Sequence, residues 1–337
     1  MAIAGLSRVD FPEAAALKSL CRIYTHQVTI MSVAHLDGSP YTAAMMSHAT
    51  ALRIAAATIS LICVGAIPVA WAQDASAWEG ELHAAARLIA GAARHSAETT
   101  WQRAGIEIRL DPGWKTYWRY PGDSGVPPTL DFDASENVKS VTTLWPAPQR
   151  FSDGAGGHSI GYHDDVVLPL RIVLKDATKP ASLHVKLGYA VCGNLCVPAQ
   201  ADLGLIVSGK PNAEEPTLVG AEARVPRRIP LGASTGPGGG LSIRSVHREA
   251  VGTHERVVVD VAAPDGAPVD LFVEGPTPDW ALPLPEPDRP APDGMSGIRR
   301  FAFDLDGLPP GARAAGATLT LTAVSPADAI EVEAHLD

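Results

Sequence analysis

Apolar side chains recur at every second position along much of this chain. Leu183, Val185, Leu187, Tyr189 and Val191 alternate with His184, Lys186, Gly188 and Ala190, which is the period of a half-buried strand. A weaker alternation follows in Val197, Ala199, Ala201, Leu203, Leu205 and Val207. Between the two runs lies Cys192-Gly193-Asn194-Leu195-Cys196. The pattern predicts two antiparallel strands joined by a three-residue hairpin loop, with Gly or Asn supplying a positive φ. It also places Cys192 opposite Cys196, on the face turned away from the core and exposed there. Opposed Cα atoms in such a ladder lie about 4.5–5.5 Å apart, within reach of a disulfide.

The same period predicts strands at Ile106–Leu110, Thr129–Phe132, Val138–Val141, Ile160–Tyr162 and Val166–Leu174. Residues 81–96 fit either a short helix or a strand opening at Glu81. The aromatic run Trp114–Tyr120 reads as packing. Arg150–Ser159, rich in glycine, reads as a loop, and no Lys-Ser/Thr follows it to make a phosphate cradle. Residues 212–240 hold Pro216, Pro226, Pro230 and Pro237 and end in Gly238-Gly239-Gly240, the composition of a linker. Beyond it, runs such as Arg256–Val261, Val269–Val273 and Thr318–Val324 predict a second, smaller β-sandwich-like unit over 241–337. The fold class expected is therefore mainly β. High Gly and Pro, 31 and 29 of 337 residues, fit the many turns this requires.

The N-terminal part reads differently. Arg53 precedes an apolar run, Ile54–Ala72, that ends Ala70-Trp71-Ala72 before the polar Gln73-Asp74. A basic residue, an apolar stretch and a small-x-small ending make a secretory signal. We expect residues 45–72 to be removed after Ala72 and 1–44 to lie upstream of the true start, at Met45 or Met46. The alternative is a retained anchor, since about 20 apolar residues can span a bilayer. A mature chain from Gln73 keeps only Cys192 and Cys196, because Cys21 and Cys63 fall before it. Export places that pair where disulfides persist. The formal net charge of −10 argues against a nucleic-acid partner.

Taken alone, the pair has three uses. A five-residue ring stabilises a fold by only about 2 kcal/mol through chain entropy, so a pair that exchanges with a partner's thiolate is one reading. A structural staple is the second. Two thiolates binding Cu(I) or zinc is the third, with the rest of a ligand set missing.

Read together, Trp114-Lys-Thr-Tyr-Trp-Arg, Pro121-Gly-Asp-Ser-Gly, Leu144-Trp-Pro-Ala-Pro, Ser159-Ile-Gly-Tyr162, Val167-Leu-Pro-Leu and Tyr189-x-x-Cys192-x-x-x-Cys196-x-Pro198 resemble the periplasmic N-terminal domain of the DsbD/ScsB thiol:disulfide interchange proteins. The resemblance covers roughly residues 80–210. It implies an immunoglobulin-like redox domain, placed here at 73–211, and a Cys192–Cys196 redox pair. It implies as partners a membrane-embedded thiol reductase and periplasmic thioredoxin-like proteins, in some members with a link to copper tolerance. Sulfur exchange needs no cofactor, and neither a cofactor nor a resident metal is expected. The family shields its pair with a cap loop bearing an aromatic and acidic residues. The matching loop, 150–159, offers Phe151 and Asp153, with Tyr162 and Tyr189 as further neighbours.

Overall fold

The computed structural model describes residues 73–96, 99–152, 156–236, 240–263, 267–288 and 297–337. Asp153, Cys21, Cys63 and the leader read at 45–72 lie outside these. The described strands of the first half are β1 (Glu79–Glu81), β2 (Ala84–Ala90), β3 (Arg94–His95), β4 (Thr100–Leu110), β5 (Lys115–Gly122), β6 (Thr129–Asp131), β7 (Val138–Thr143), β8 (Gln149–Ser152), β9 (His158–His163), β10 (Val166–Leu174), β11 (Ala181–Cys192) and β12 (Cys196–Val207). A helix, α1 (Glu215–Glu222), comes next. The second half holds β13 (Arg227–Arg228), β14 (Ser242–Val251), β15 (His254–Ala262), β16 (Asp270–Glu274), β17 (Glu286–Pro287), β18 (Ile298–Asp304), β19 (Thr318–Val324) and β20 (Ala329–His335).

These strands make two sandwiches. In the first, a sheet ordered β1-β2-β4-β10-β7 faces a sheet ordered β12-β11-β5-β9-β8. Alternation decides which side chains meet between them. Leu88, Ile106, Leu168 and Leu170 come from one sheet, and Trp118, Ile160, Leu183, Val185 and Leu187 from the other, all essentially buried. Each large apolar side chain so buried contributes about 1.5–3 kcal/mol. In the second sandwich β13-β20-β19-β16 faces β14-β15-β18-β17 around Leu271, Phe301, Phe303, Leu319 and Leu321.

The segment whose composition reads as a linker is structured where described. Helix α1 lays Leu218 and Ala221 against Ile89 and Val167 of the first sandwich. Arg103, buried completely, fastens it by hydrogen bonds to both oxygens of Glu222, at 2.8 and 3.0 Å, and to Glu215. Arg87 holds Glu214. After the helix, β13 pairs in parallel with β20 of the second sandwich. Proline at the helix start explains how a Pro-rich stretch can be helical: its missing N–H is one that the first turn leaves unpaired anyway.

The sandwiches belong to one compact unit and share part of a core. Phe272 and Leu284 of the second are buried within the first one's hydrophobic cluster. The Phe272 ring stands 5.9 Å from that of Trp118. Tyr120 donates a hydrogen bond to the Leu282 carbonyl at 2.7 Å. Arg150 bridges to Asp270 and Glu286. No helix among the described residues is long and apolar enough to cross a membrane.

Candidate functional site

Cys192 ends β11 and Cys196 opens β12, and the two are partners in the ladder. Their Cα atoms lie 4.1 Å apart and a disulfide joins them. Leu183, Val185, Leu187, Tyr189 and Val191 all point into the core, as their alternation predicts, so Cys192 takes the opposite face. Two expectations for the turn need correction. None of Gly193, Asn194 and Leu195 adopts a positive φ. Gly193 instead lets the turn lie close to Trp114, since a Cβ there would stand 3.0 Å from that ring. That ring is itself stacked on His83 at 3.8 Å, and His83 bonds Asp111 at 2.9 Å.

The second correction concerns exposure. The outer face was expected to leave both sulfurs accessible, yet the two cysteines differ. Cys196 is exposed, and Cys192 is only 1% exposed. The cause is β5, which pairs with the end of β11 through Thr116–Val191 and Lys115–Cys192. Lys115 and Tyr117 therefore share the outer face with Cys192. Tyr117, Ala190 and Cys192 form a small buried cluster there, separate from the main core. The Tyr117 hydroxyl lies 2.8 Å from Cys192 Sγ and 3.3 Å from Cys196 Sγ. Disulfide sulfurs carry no proton, so the phenol is the donor. Burial pushes its pKa above the ordinary tyrosine value, which keeps that proton in place through neutral pH.

The rest of the face is built by β9 and β8. Gly161 sits opposite Tyr117, and a Cβ at Gly161 would collide with the Thr116 carbonyl oxygen at 1.9 Å. This glycine lets β5 and β9 approach closely. Lys115 crosses the gap to donate to Ser159 Oγ at 3.2 Å, and its ammonium lies 5.3 Å from the Phe151 ring centre. Phe151 meets His163 edge-on at 4.4 Å. Residues 150–152 and 158–159, expected as loop, are the paired ends of the β8–β9 hairpin.

Of the residues singled out from sequence, Cys192, Cys196 and Phe151 come together on this face. Tyr162 and Tyr189 do not. Both lie on the core face of the same sheet, where Tyr162 donates to the Pro146 carbonyl at 2.9 Å. Burial pushes both phenols up, that of Tyr189 to about 12. The reason is parity: Tyr162 pairs with Thr116, and Tyr189 pairs with Ala199. Tyr117, Lys115, His163 and Trp114 were missed. Parity could have found Tyr117, since it alternates with Thr116 and Trp118 and keeps step with the charged Lys115 and Arg119. Among the described residues no three His, Cys, Asp or Glu side chains converge as a metal-holding group.

Residues 85–208 match the family described as thiol:disulfide interchange protein DsbD, N-terminal. The fold is similar to the crystal structure of the N-terminal periplasmic domain of ScsB from Proteus mirabilis. The TM-score is 0.59 at 22% identity, covering 78% of this chain and 98% of that one. That coverage runs well past the family-matched segment, so the likeness takes in the second sandwich as well. No curated protein matches the chain.

Proposed function

We propose, from the match of residues 85–208 to the DsbD N-terminal family of thiol:disulfide interchange proteins, that the chain passes electrons through the Cys192–Cys196 disulfide, between a membrane-embedded thiol reductase and thioredoxin-like proteins in the periplasm. Residues 73–211 are the redox domain and 241–337 the accompanying β domain. One observation carries the reading: Cys196 is exposed, and Cys192 is buried with its sulfur against a hydrogen-bond donor.

The polarity of exchange follows from it. A partner's thiolate attacks Cys196 Sγ, the accessible sulfur, and forms a mixed disulfide. The Cys192–Cys196 bond breaks and its electron pair leaves on Cys192 Sγ. A leaving group is better the more its thiolate is stabilised, and Tyr117 already donates to this sulfur from 2.8 Å. Hydrogen bonds to charged groups are worth about 1.5–3 kcal/mol, more than those to neutral ones. The partner's second thiolate then attacks its own sulfur in the mixed disulfide and leaves as part of the partner's new disulfide. Cys196 is released as a thiolate, and the pair is reduced by two electrons. Running backwards, Cys196 attacks an oxidised partner and Cys192 resolves.

Paired substitutions test this. Cys192→Ser should trap a mixed disulfide at Cys196 with a thioredoxin-like protein, while Cys196→Ser should trap none, and both should abolish turnover. A measured potential adds a second check. Structural disulfides usually lie below about −300 mV, so a value there, with no exchange with dithiol donors, would leave only a staple.

A further inference from the structure

Strand β5 carries the hydrogen-bond donor to the sulfurs, and its ladder stops there. Pairing with β9 runs from Lys115 to Tyr117, breaks, and resumes only at Gly122. Pairing with β11 covers only Lys115 and Thr116. Beyond Tyr117 the strand is held from elsewhere, and its next three residues each reach the second sandwich. Trp118 meets Phe272. Arg119 binds both oxygens of Glu274, with contacts of 2.8 and 2.6 Å, and also binds Glu331 at 2.6 Å. Tyr120 donates to the Leu282 carbonyl.

The clamp at Arg119 is well built. Its guanidinium lies 4.4 Å from the Trp118 ring centre. Glu331, itself buried, is shared with Arg228 of β13 at 2.7 Å. A planar guanidinium gripping one carboxylate with two donors fixes orientation as well as distance. The clamp sits two positions along the same strand from Tyr117, with only Trp118 between them. A small rotation of the strand here would carry the phenol away from the sulfur, and a hydrogen bond weakens steeply with misalignment.

We propose that the second sandwich is a positioning element of the redox site: through Arg119, with Glu274 and Glu331, it completes the unladdered end of β5 and sets the Tyr117 hydroxyl on Cys192. Arg119 touches neither sulfur, so it acts through Tyr117. The proposal rests on the exchange reading above and gives the second sandwich a part in it.

The test uses the chain with both sandwiches, in four forms: wild type, Tyr117→Phe, Arg119→Met and the double variant. Two quantities are read: the dithiol–disulfide equilibrium constant against dithiothreitol, and the rate at which dithiothreitol reduces the protein. Tyr117→Phe should move the equilibrium about tenfold toward the disulfide and slow reduction similarly, the loss of one hydrogen bond to a thiolate. Arg119→Met should move both the same way by about threefold. In the double variant it should add almost nothing, because its target is already gone. Arg119→Lys should restore part of the shift. Glu274→Gln, which keeps the side chain's shape, gives the same reading if Arg119→Met does not fold. A folded Arg119→Met or Glu274→Gln protein with wild-type equilibrium and rate, whatever its melting temperature, overturns the proposal, as does full additivity with Tyr117→Phe. Failure of wild type to exchange at all would overturn the exchange reading instead.

Discussion

The two sandwiches are built by one rule and differ in what their outer faces do. In the second, the face of β14, β15 and β18 is a lattice of satisfied charges. Asp260 takes Arg300 through two hydrogen bonds, and Glu249 takes Arg256 through two more. The ladder between β15 and β18 is unbroken from Ala262 to Arg256. In the first, the corresponding face of β11, β5 and β9 carries a disulfide, a buried phenol and a lysine, and its ladder is interrupted after Tyr117. A regular polar face stabilises a sheet and offers little to a partner. Reactive groups sit where the regularity fails, and the strand is held there by side-chain contacts from outside the sheet.

If the shared core is what joins the two, its disruption should blur the comparison most. Trp118 is fully buried and packs on Phe272. Trp118→Ala should cost about 3–5 kcal/mol, the usual range for emptying such a site. Urea unfolding followed by tryptophan fluorescence and by circular dichroism should move to lower midpoint in one coincident transition. Two separated transitions, with the second sandwich untouched, would show independent bodies and remove the basis for a positioning role.

A lesser effect is expected from the latch on α1. Arg103→Met keeps the volume but leaves Glu215 and Glu222 without their buried partner. Removing one side of a fully buried pair costs about 3–5 kcal/mol. Both glutamates reach solvent at their edges, so we expect about 2 kcal/mol. Hydrogen exchange should show protection lost over 215–222 while β14–β20 stay protected. Equal loosening of β14–β20 would mean that the helix supports both sandwiches and would narrow the contrast between them.

How much of this could be read beforehand depended on which signal an element leaves. The cysteine hairpin was legible because alternation over β11 and β12 is long, and a period of two fixes both face and register. The second sandwich's strands were legible where valine and leucine alternate. Strand β20, Ala-Ile-Glu-Val-Glu-Ala-His, carries the same signal and was passed over. Helix α1 was not legible. It buries only Leu218 and Ala221 and is held by ion pairs to residues more than a hundred positions away. No apolar stripe marks it, and its one proline, Pro216, points the other way. At the site, sulfur chemistry announced itself through spacing, whereas Tyr117 was hidden inside an aromatic run that normally signals packing. Tyr162 and Tyr189 lie near the cap loop and the cysteine pair in sequence, but strand parity sends them to the far side of the sheet.

The smallest effect tests the regular face on its own terms. Asp260 is nearly buried and bonds Arg300 at 2.8 and 2.9 Å and Ser245 at 3.1 Å. The Arg300 guanidinium holds its carboxyl below the ordinary aspartate range, and Ser245 adds to this against the cost of burial. A carboxyl depressed in the folded state binds fewer protons there than in the unfolded chain. Its stabilisation is therefore present above the unfolded value, about 3.9, and is lost as pH falls through the lower folded value. Asp260→Asn should cost about 1 kcal/mol at pH 7, in the range of charge-assisted hydrogen bonds near a surface. The gap to wild type should hold down to about pH 5 and close below about pH 4. Exchange with dithiothreitol should not change, because Asp260 lies in the regular sheet of β15 and bonds Arg300 and Ser245 of the strands beside it. A variant that is less stable and also slower to be reduced would mean that this lattice, too, reaches the sulfurs, and that the division between a stabilising face and a reactive one is not the right description of the molecule.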